Sequence, residues 1–232
     1  MQDIAVIGSA DRTSWMPLVD PPGLIPSLGR DTTVFASADG AFTCGLWERE
    51  PDTWTFERPH DEVAYILEGS ADIETDDGRM LRIGPGDVLV TPNGSKGTWR
   101  VHETLTKFYA IYAGAPVGDV AVRVVRADDP VEWVELENPP GDPNPPGREW
   151  YAWRNADGRF STGVWERDPE TGSFDRTYDE IACVIEGDVD VETTDGRVLA
   201  VGPGDVLVTP DGSSGVWRAK AHVRKFWAVH HG

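Results

Sequence analysis

The chain repeats itself at a fixed offset of 118 residues. Gly45-Leu46-Trp47-Glu48-Arg49 returns as Gly163-Val164-Trp165-Glu166-Arg167, and residues 84–92 return unchanged over nine positions as residues 202–210. Between residues 45 and 114 about half the positions match their partners without a gap. The register holds upstream as well: Trp15 pairs with Trp133, Pro21-Pro22-Gly23 with Pro139-Pro140-Gly141, and Ala38-Asp39-Gly40 with Ala156-Asp157-Gly158. Solenoid repeats are much shorter than this, so two copies of so long a unit mean two domains of one design. The expected division is residues 1–116 and 117–232.

Each copy reads as a series of short strands. Residues 63–67 and 181–185 are rich in β-branched, aromatic and apolar side chains. Asp77-Gly78 and Asp195-Gly196 stand between such runs and suit a two-residue hairpin turn with positive φ at both positions. Gly84-Pro85-Gly86-Asp87 fits a type II turn, with proline fixing the first central φ and glycine supplying the positive second one. Residues 88–90 then form a buried strand, Pro92-Asn93-Gly94 the next turn, and residues 107–112 (225–230 in the second copy) the last strand. No long stretch has helical periodicity. The class predicted is therefore all-β, a sandwich or barrel in each copy. Residues 17–30 and 138–148 are rich in Pro and Gly and read as extended arms. Residues 115–125 connect the copies, with 120–125 as the first strand of copy two.

The net charge of -19 excludes the clustered basic surface that a nucleic acid or an anionic membrane requires. No apolar run approaches a membrane span, and Met1-Gln2-Asp3-Ile4 has no signal-peptide pattern. Cys44 aligns with Thr162 and Cys183 with Tyr65. A disulfide framework would repeat with the module, so both are expected to be reduced thiols in a cytoplasmic protein.

The order of these elements resembles the cupin superfamily, whose motifs are G-x5-H-x-H-x3,4-E-x6-G and G-x5-P-x-G-x2-H-x3-N. Glu62-x6-Gly69 and Glu180-x6-Gly187 match the end of the first. Gly86-x5-Pro92-x-Gly94 and Gly204-x5-Pro210-x-Gly212 match the start of the second. The fold implied is a bicupin, two tandem double-stranded β-helix (jelly-roll) barrels. Gly-x-Trp-Glu before the first motif, Asp-Glu within it, Gly-x-Trp after the second, and Lys107-Phe108 or Lys225-Phe226 later are similar to the ureidoglycine aminohydrolase and ethanolamine-utilisation cupins.

In that superfamily the motif histidines and glutamate usually hold a metal. Here the first-motif histidines fall at Phe56 and Arg58, and at Phe174 and Arg176; the second-motif histidine falls at Gly97 and Gly215. Only Glu62 and Glu180 remain, and one carboxylate does not make a transition-metal site. No metal and no cofactor are expected, an unusual site built from Glu62 and His60 being the alternative.

Residues two apart on a strand share a face, so Arg58, His60 and Glu62 are expected to point into barrel one, and Arg176, Tyr178 and Glu180 into barrel two. Trp99 and Trp217 should face inward too, and Lys107 and Lys225 repeat on the final strand. The candidate acid–base groups are Glu62, His60 and Glu180. The candidate ligand contacts are Arg58, Trp99, Lys107, Tyr109, Arg176, Tyr178, Trp217 and Lys225. Burial would raise a glutamate pKa and a neighbouring arginine would lower it, so the sequence leaves the sign open. A self-satisfied buried ion pair is the other reading of the same residues. Trp47 and Trp165 read as core, and Glu48-Arg49-Glu50 as a solvated strand end. Copy one carries the only motif-proximal histidine, which favours copy one if a single barrel is active.

Three functions follow as expectations. The first is a metal-independent bicupin that binds a small polar metabolite, as a lyase, isomerase or hydrolase. The second is a non-catalytic ligand-binding or structural bicupin. The third is a metal-dependent aminohydrolase. The resemblance also implies a homodimer paired through sheet edges, or a monomer in which the duplicated chain satisfies that pairing itself.

Overall fold

Alternating apolar residues punctuated by glycine turns dictate short paired strands, and antiparallel β-structure is what the chain forms. The computed structural model describes residues 3–7, 16–17, 29–114, 120–126, 129, 131–137 and 147–232. The predicted arms fall largely on residues 18–28 and 138–146, outside the described residues. Among those described there is no helix long and apolar enough to cross a membrane.

In the first compact unit, Arg12–Asp129, the long strands Asp61–Thr75 and Lys96–Tyr112 pair along most of their length. Phe42–Arg49 and then Gly29–Ala36 extend the sheet on one side, and Val88–Thr91 on the other. Thr53–Glu57 pairs with the first half of Lys96–Tyr112, and Met80–Ile83 with the second half of Asp61–Thr75. The long strands thus run from one wall of a small barrel into the other. Between the walls lie Ile66, Ile73, Leu89, Trp99 and Val101. Each large aliphatic side chain so buried contributes about 1.5–3 kcal/mol.

The second unit joins Met1–Asp11 to Pro130–Gly232. Its long strands are interrupted, as Asp179–Glu186 followed by Val189–Thr193 and Ser214–Ala219 followed by Val223–His230. The walls are accordingly distinct sheets of seven and four strands. The interruption falls at Gly187, with φ 82°, where an added Cβ would lie 2.2 Å from the His222 carbonyl oxygen. Glycine is required there on both counts.

The edge strands depart from the expected division. Residues 123–125 do not open copy two: they pair with Val88–Thr91 of the first unit, and Val122 is buried in that unit's core. Their repeat partners, Ala5–Ile7, pair with Val206–Thr209 of the second unit, where Ile4 is buried. Each barrel takes its edge strand from the segment preceding the other copy, which is why the units do not divide at residue 116.

The turns follow the sequence with one correction. Gly86 and Gly94 have φ of 91° and 87°, and Asp87 N–H donates to the Gly84 carbonyl at 3.1 Å. At Asp77-Gly78 only the glycine has positive φ. Thr75 pairs with Arg79, and Gly78 N–H donates back to the Thr75 carbonyl. This is a three-residue loop in which a turn is closed by a left-handed glycine, and it frees Asp77 to accept from the Thr75 hydroxyl.

Candidate functional site

A row of side chains runs across three adjacent strands on the inner wall of each barrel. In the first, Asp31 is register partner of Trp47, and Trp47 of Lys107. In the second the row is Glu149, Trp165 and Lys225. Glu62 and Glu180 reach the same lysines from the next strand, and Glu62–Lys107 and Glu180–Lys225 form buried ion pairs. The lysine ammonium sits 4.8 Å from the Trp47 ring centroid in the first barrel and 5.1 Å from that of Trp165 in the second. These tryptophans line the pockets as well as packing on the core. Glycine at 45 and 163 makes the row possible, since a Cβ at Gly163 would lie 2.1 Å from the Trp150 carbonyl oxygen and 2.8 Å from the Trp227 ring.

The motif arginines complete a clamp. Arg58 meets the Glu62 carboxylate at 3.3 Å, and Arg176 meets that of Glu180 at 2.9 Å. Arg58 and Arg176 also donate to Thr91 and Thr209. They do so from the bend before the strand rather than from the strand itself, which begins at Asp61 or Asp179. Strand alternation therefore does not place residues 58 and 60. His60 is absent from the pocket lining, and its Nε2 stays 3.9 Å from Glu62, too far for a hydrogen bond. Tyr178, at the equivalent position, does line the second pocket, and its hydroxyl accepts from Arg176 at 3.1 Å.

The sign that the sequence left open is fixed by this geometry. Burial raises Glu62, but the charges of Arg58 and Lys107 overcome it and hold the carboxyl well below 4.5. Glu180 is lowered in the same way, against burial, by Arg176 and Lys225. Burial also pulls both lysines down from 10.5, with the neighbouring arginine adding to the effect. A carboxylate held by two cations is a poor proton acceptor.

The carboxyl with the opposite shift was not singled out by the sequence motifs. Burial raises Glu149, with Tyr151 hydrogen-bonding and the Lys225 charge opposing. Asp31, its repeat partner, is raised by burial too. Both lie on the wall strand next to the Gly-x-Trp-Glu-Arg strand. The readable signal was an acid conserved across the 118-residue offset at the end of a Pro/Gly-rich segment. Arg49, read as part of a solvated strand end, and its repeat partner Arg167 also line the pockets, paired with Asp52 at 2.6 Å and Glu170 at 2.8 Å.

The two pockets differ in size. The first has about 270 Å³ and the second about 510 Å³. In the first barrel Trp54 stacks on Trp99, with centroids 5.6 Å apart and planes 5° apart, and Arg49 covers its other face at 3.9 Å. In the second barrel Gly172 occupies that position opposite Trp217, and space replaces the indole. Tyr109, in the first pocket, is raised to about 12 by burial and shares a hydrogen bond with Thr33; Trp227 stands at its place in the second. His60 thus lies outside the first pocket, and Trp54 fills there the space that Gly172 leaves open in the second.

A cupin metal does not fit these residues. At Gly97 an added Cβ would lie 2.6 Å from the Glu74 carbonyl oxygen and 3.0 Å from the Phe56 ring, and Gly215 is crowded in the same way by Glu192 and Phe174. Two of the superfamily's ligand positions are thus packed against each other, and the remaining glutamate is already neutralised. Among the described residues no three His, Cys, Asp or Glu side chains cluster closely enough to hold a metal ion. The thiols are also unavailable: Cys44 and Cys183 are buried, and burial pushes Cys183 up to about 12.

Comparison with known proteins supports the barrel on both levels. A protein of the DUF861 family from Pseudomonas syringae superposes with a TM-score of 0.78 at 19% identity, covering 97% of this chain and 98% of that one. YlbA from E. coli superposes at 0.67 with 14% identity, over 98% and 90% of the two chains. HEPD from Streptomyces albus, solved with 2-hydroxyethylphosphonate and Fe(II), superposes at 0.68 with 9% identity, over 99% of this chain and 76% of that one. In sequence, a Clostridioides difficile protein named acetate kinase EutQ is 30% identical over 69 residues, which is 30% of this chain and 43% of that protein. The family model described as an EutQ-like cupin domain matches twice, over residues 36–109 and 154–227, and the chain therefore belongs to the EutQ-like cupin family as a bicupin.

Proposed function

We propose that the second barrel is a metal-independent pocket for a small polar metabolite, and that Glu149 is the group that exchanges a proton with it. The observation that carries this reading is Gly172 in place of Trp54, which leaves about 510 Å³ beside Glu149, Lys225 and Glu180. That volume suits a small ligand. A carboxyl shifted upward toward neutral pH is a better general acid or base than one clamped by two cations. Lys225 and Arg176 form a fixed cationic wall that would stabilise negative charge developing on the bound molecule. The reaction class in keeping with this is a lyase, isomerase or hydrolase step built on proton transfer. The first barrel keeps the clamp, has its pocket narrowed by Trp54, and serves as scaffold. The name of the C. difficile relative describes a protein of which this match spans less than half, and its activity is not carried over.

Gly172→Trp tests the site. Nothing but the Glu170 carboxylate, at 3.9 Å, stands near a Cβ there, so the variant should fold. Small molecules released from purified wild type and variant are compared by mass spectrometry. A metabolite retained by the wild type should be lost from Gly172→Trp. Equal retention by both would show that the second pocket is not the site. Once the metabolite is known, Glu149→Gln should abolish turnover while leaving its Kd within a few fold; undiminished turnover would remove Glu149 from the chemistry.

A further inference from the structure

The charges lining the second pocket do not cancel. Three carboxyls, Glu149, Glu170 and Glu180, face four cations, Arg154, Arg167, Arg176 and Lys225, in a chain whose net charge is -19. Glu170 is held by Arg167, and Glu180 by both Arg176 and Lys225. Arg154 remains. Among the described residues it has no carboxylate within ion-pair distance, and its guanidinium lies 5.2 Å from the Tyr151 ring.

A β-bulge brings Arg154 to the pocket. Along Arg148–Arg154 the side chains of Glu149 and Tyr151 face inward by simple alternation. The register then shifts between Tyr151 and Trp153, so that Arg154, three residues on from Tyr151, joins the same face. Re-aiming a side chain in this way is a recurrent use of bulges. The first barrel has the same register shift between Thr33 and Phe35, but Ala36 stands where Arg154 does. Likewise Thr33 answers to Tyr151 and Ala113 to His231, both of which line the second pocket. The clamp suffices to build both barrels. The arginine, tyrosine and histidine at this rim belong to one copy only, the one whose cavity is open. Barrel stability therefore does not account for them.

The walls add a shape requirement. Six aromatic side chains line the cavity: Tyr151, Trp165, Phe174, Tyr178, Trp217 and Trp227. Tyr151 stands edge-on to Trp227 with centroids 5.1 Å apart, and Trp165 is edge-on to Trp217 at 5.8 Å. Such rings offer flat faces and edges to a planar ligand.

From the rim arginine that holds no ion pair among the described residues and the aromatic walls we infer that the second pocket takes a planar organic carboxylate, and that Arg154 is the residue selecting for its negative charge. This rests on the reading that the second barrel is the ligand site. A guanidinium meets a carboxylate with two parallel N–H donors, and this pairing discriminates against a neutral isostere.

Benzoate and benzamide differ in charge but hardly in shape. Each is titrated calorimetrically into the full-length protein, Arg154→Ala and Gly172→Trp at neutral pH. In the wild type, benzoate should bind at least ten-fold tighter than benzamide. Arg154→Ala should bring the two within about two-fold by weakening benzoate alone, and Gly172→Trp should abolish both. If benzamide equals benzoate in the wild type and both are lost in Gly172→Trp, charge selection is wrong and the pocket assignment stands. If both bind undiminished to Gly172→Trp, the pocket assignment falls as well. Failure of the wild type to bind either probe would overturn the planar-carboxylate assignment, and so would a benzoate preference surviving in Arg154→Ala.

Discussion

Glu180 and Glu149 share a pocket and carry opposite pKa shifts, and the difference lies in their neighbours. Glu180 is held between Lys225 and Arg176, whereas Glu149 is partly buried with its cation across the row. Replacing Glu180 with Gln leaves the buried Lys225 beside the partly buried Arg176 without their shared counter-charge, and unfolding in urea should show a loss on the order of 3–5 kcal/mol. The acid response has a definite sign. Glu62 and Glu180 have folded pKa values below 4.5, so the stability they contribute is present above that pH and lost as pH falls through their folded values. Glu149 has a raised folded value, so its neutral form is favoured and the fold loses a little stability as pH rises from 4.5 through that value. Urea midpoints measured from pH 3 to 7 should therefore fall steeply on the acid side. Glu149→Gln should exceed the wild type modestly at pH 7 and not at pH 4. The Glu–Lys pairs were legible because both members recur at one offset. His60 misled because a bend, not a strand, carries it. Glu149 was missed because cross-strand register is invisible in a single strand's sequence.

At the scale of elements, glycine chemistry made the turns readable, since left-handed positions in the loops are occupied by Gly86, Gly94 and their copies. What local sequence does not encode is which barrel an edge strand joins. Ala5–Ile7 and Arg123–Val125 have equivalent sequence positions and equivalent registers, each in the barrel of the other copy. An unpaired edge exposes a row of backbone donors and acceptors. Removing residues 1–11 should therefore speed hydrogen exchange in Val206–Thr209 of the second barrel and leave Val88–Thr91 of the first protected. The reverse pattern, or a change in neither strand, would contradict the pairing described.

Across the whole molecule, duplication separates what builds the barrel from what distinguishes the copies. Shared residues, such as the Gly84-Pro85-Gly86-Asp87 turn and the Glu–Lys–Arg clamp, recur because either barrel needs them. Divergent residues mark the use of one barrel: Trp54 against Gly172, Ala36 against Arg154, Thr33 against Tyr151. The sequence displayed these differences, but their weight depended on volume. Losing an indole matters only if nothing refills its place, and only the packed structure shows that nothing does.

The reciprocal edge strands also bear on the order in which the protein is made. A ribosome delivers the last of the first barrel's wall strands, Lys96–Tyr112, before residues 122–125, so that barrel waits with one edge open for a strand encoded at the start of the second copy. Ile4 and Ala5–Ile7 wait longer still, until Val206–Thr209 has been synthesised. The first barrel is therefore unfinished when its own copy of the sequence ends, whereas residues 4–7, made before either barrel, are among the last to find their place.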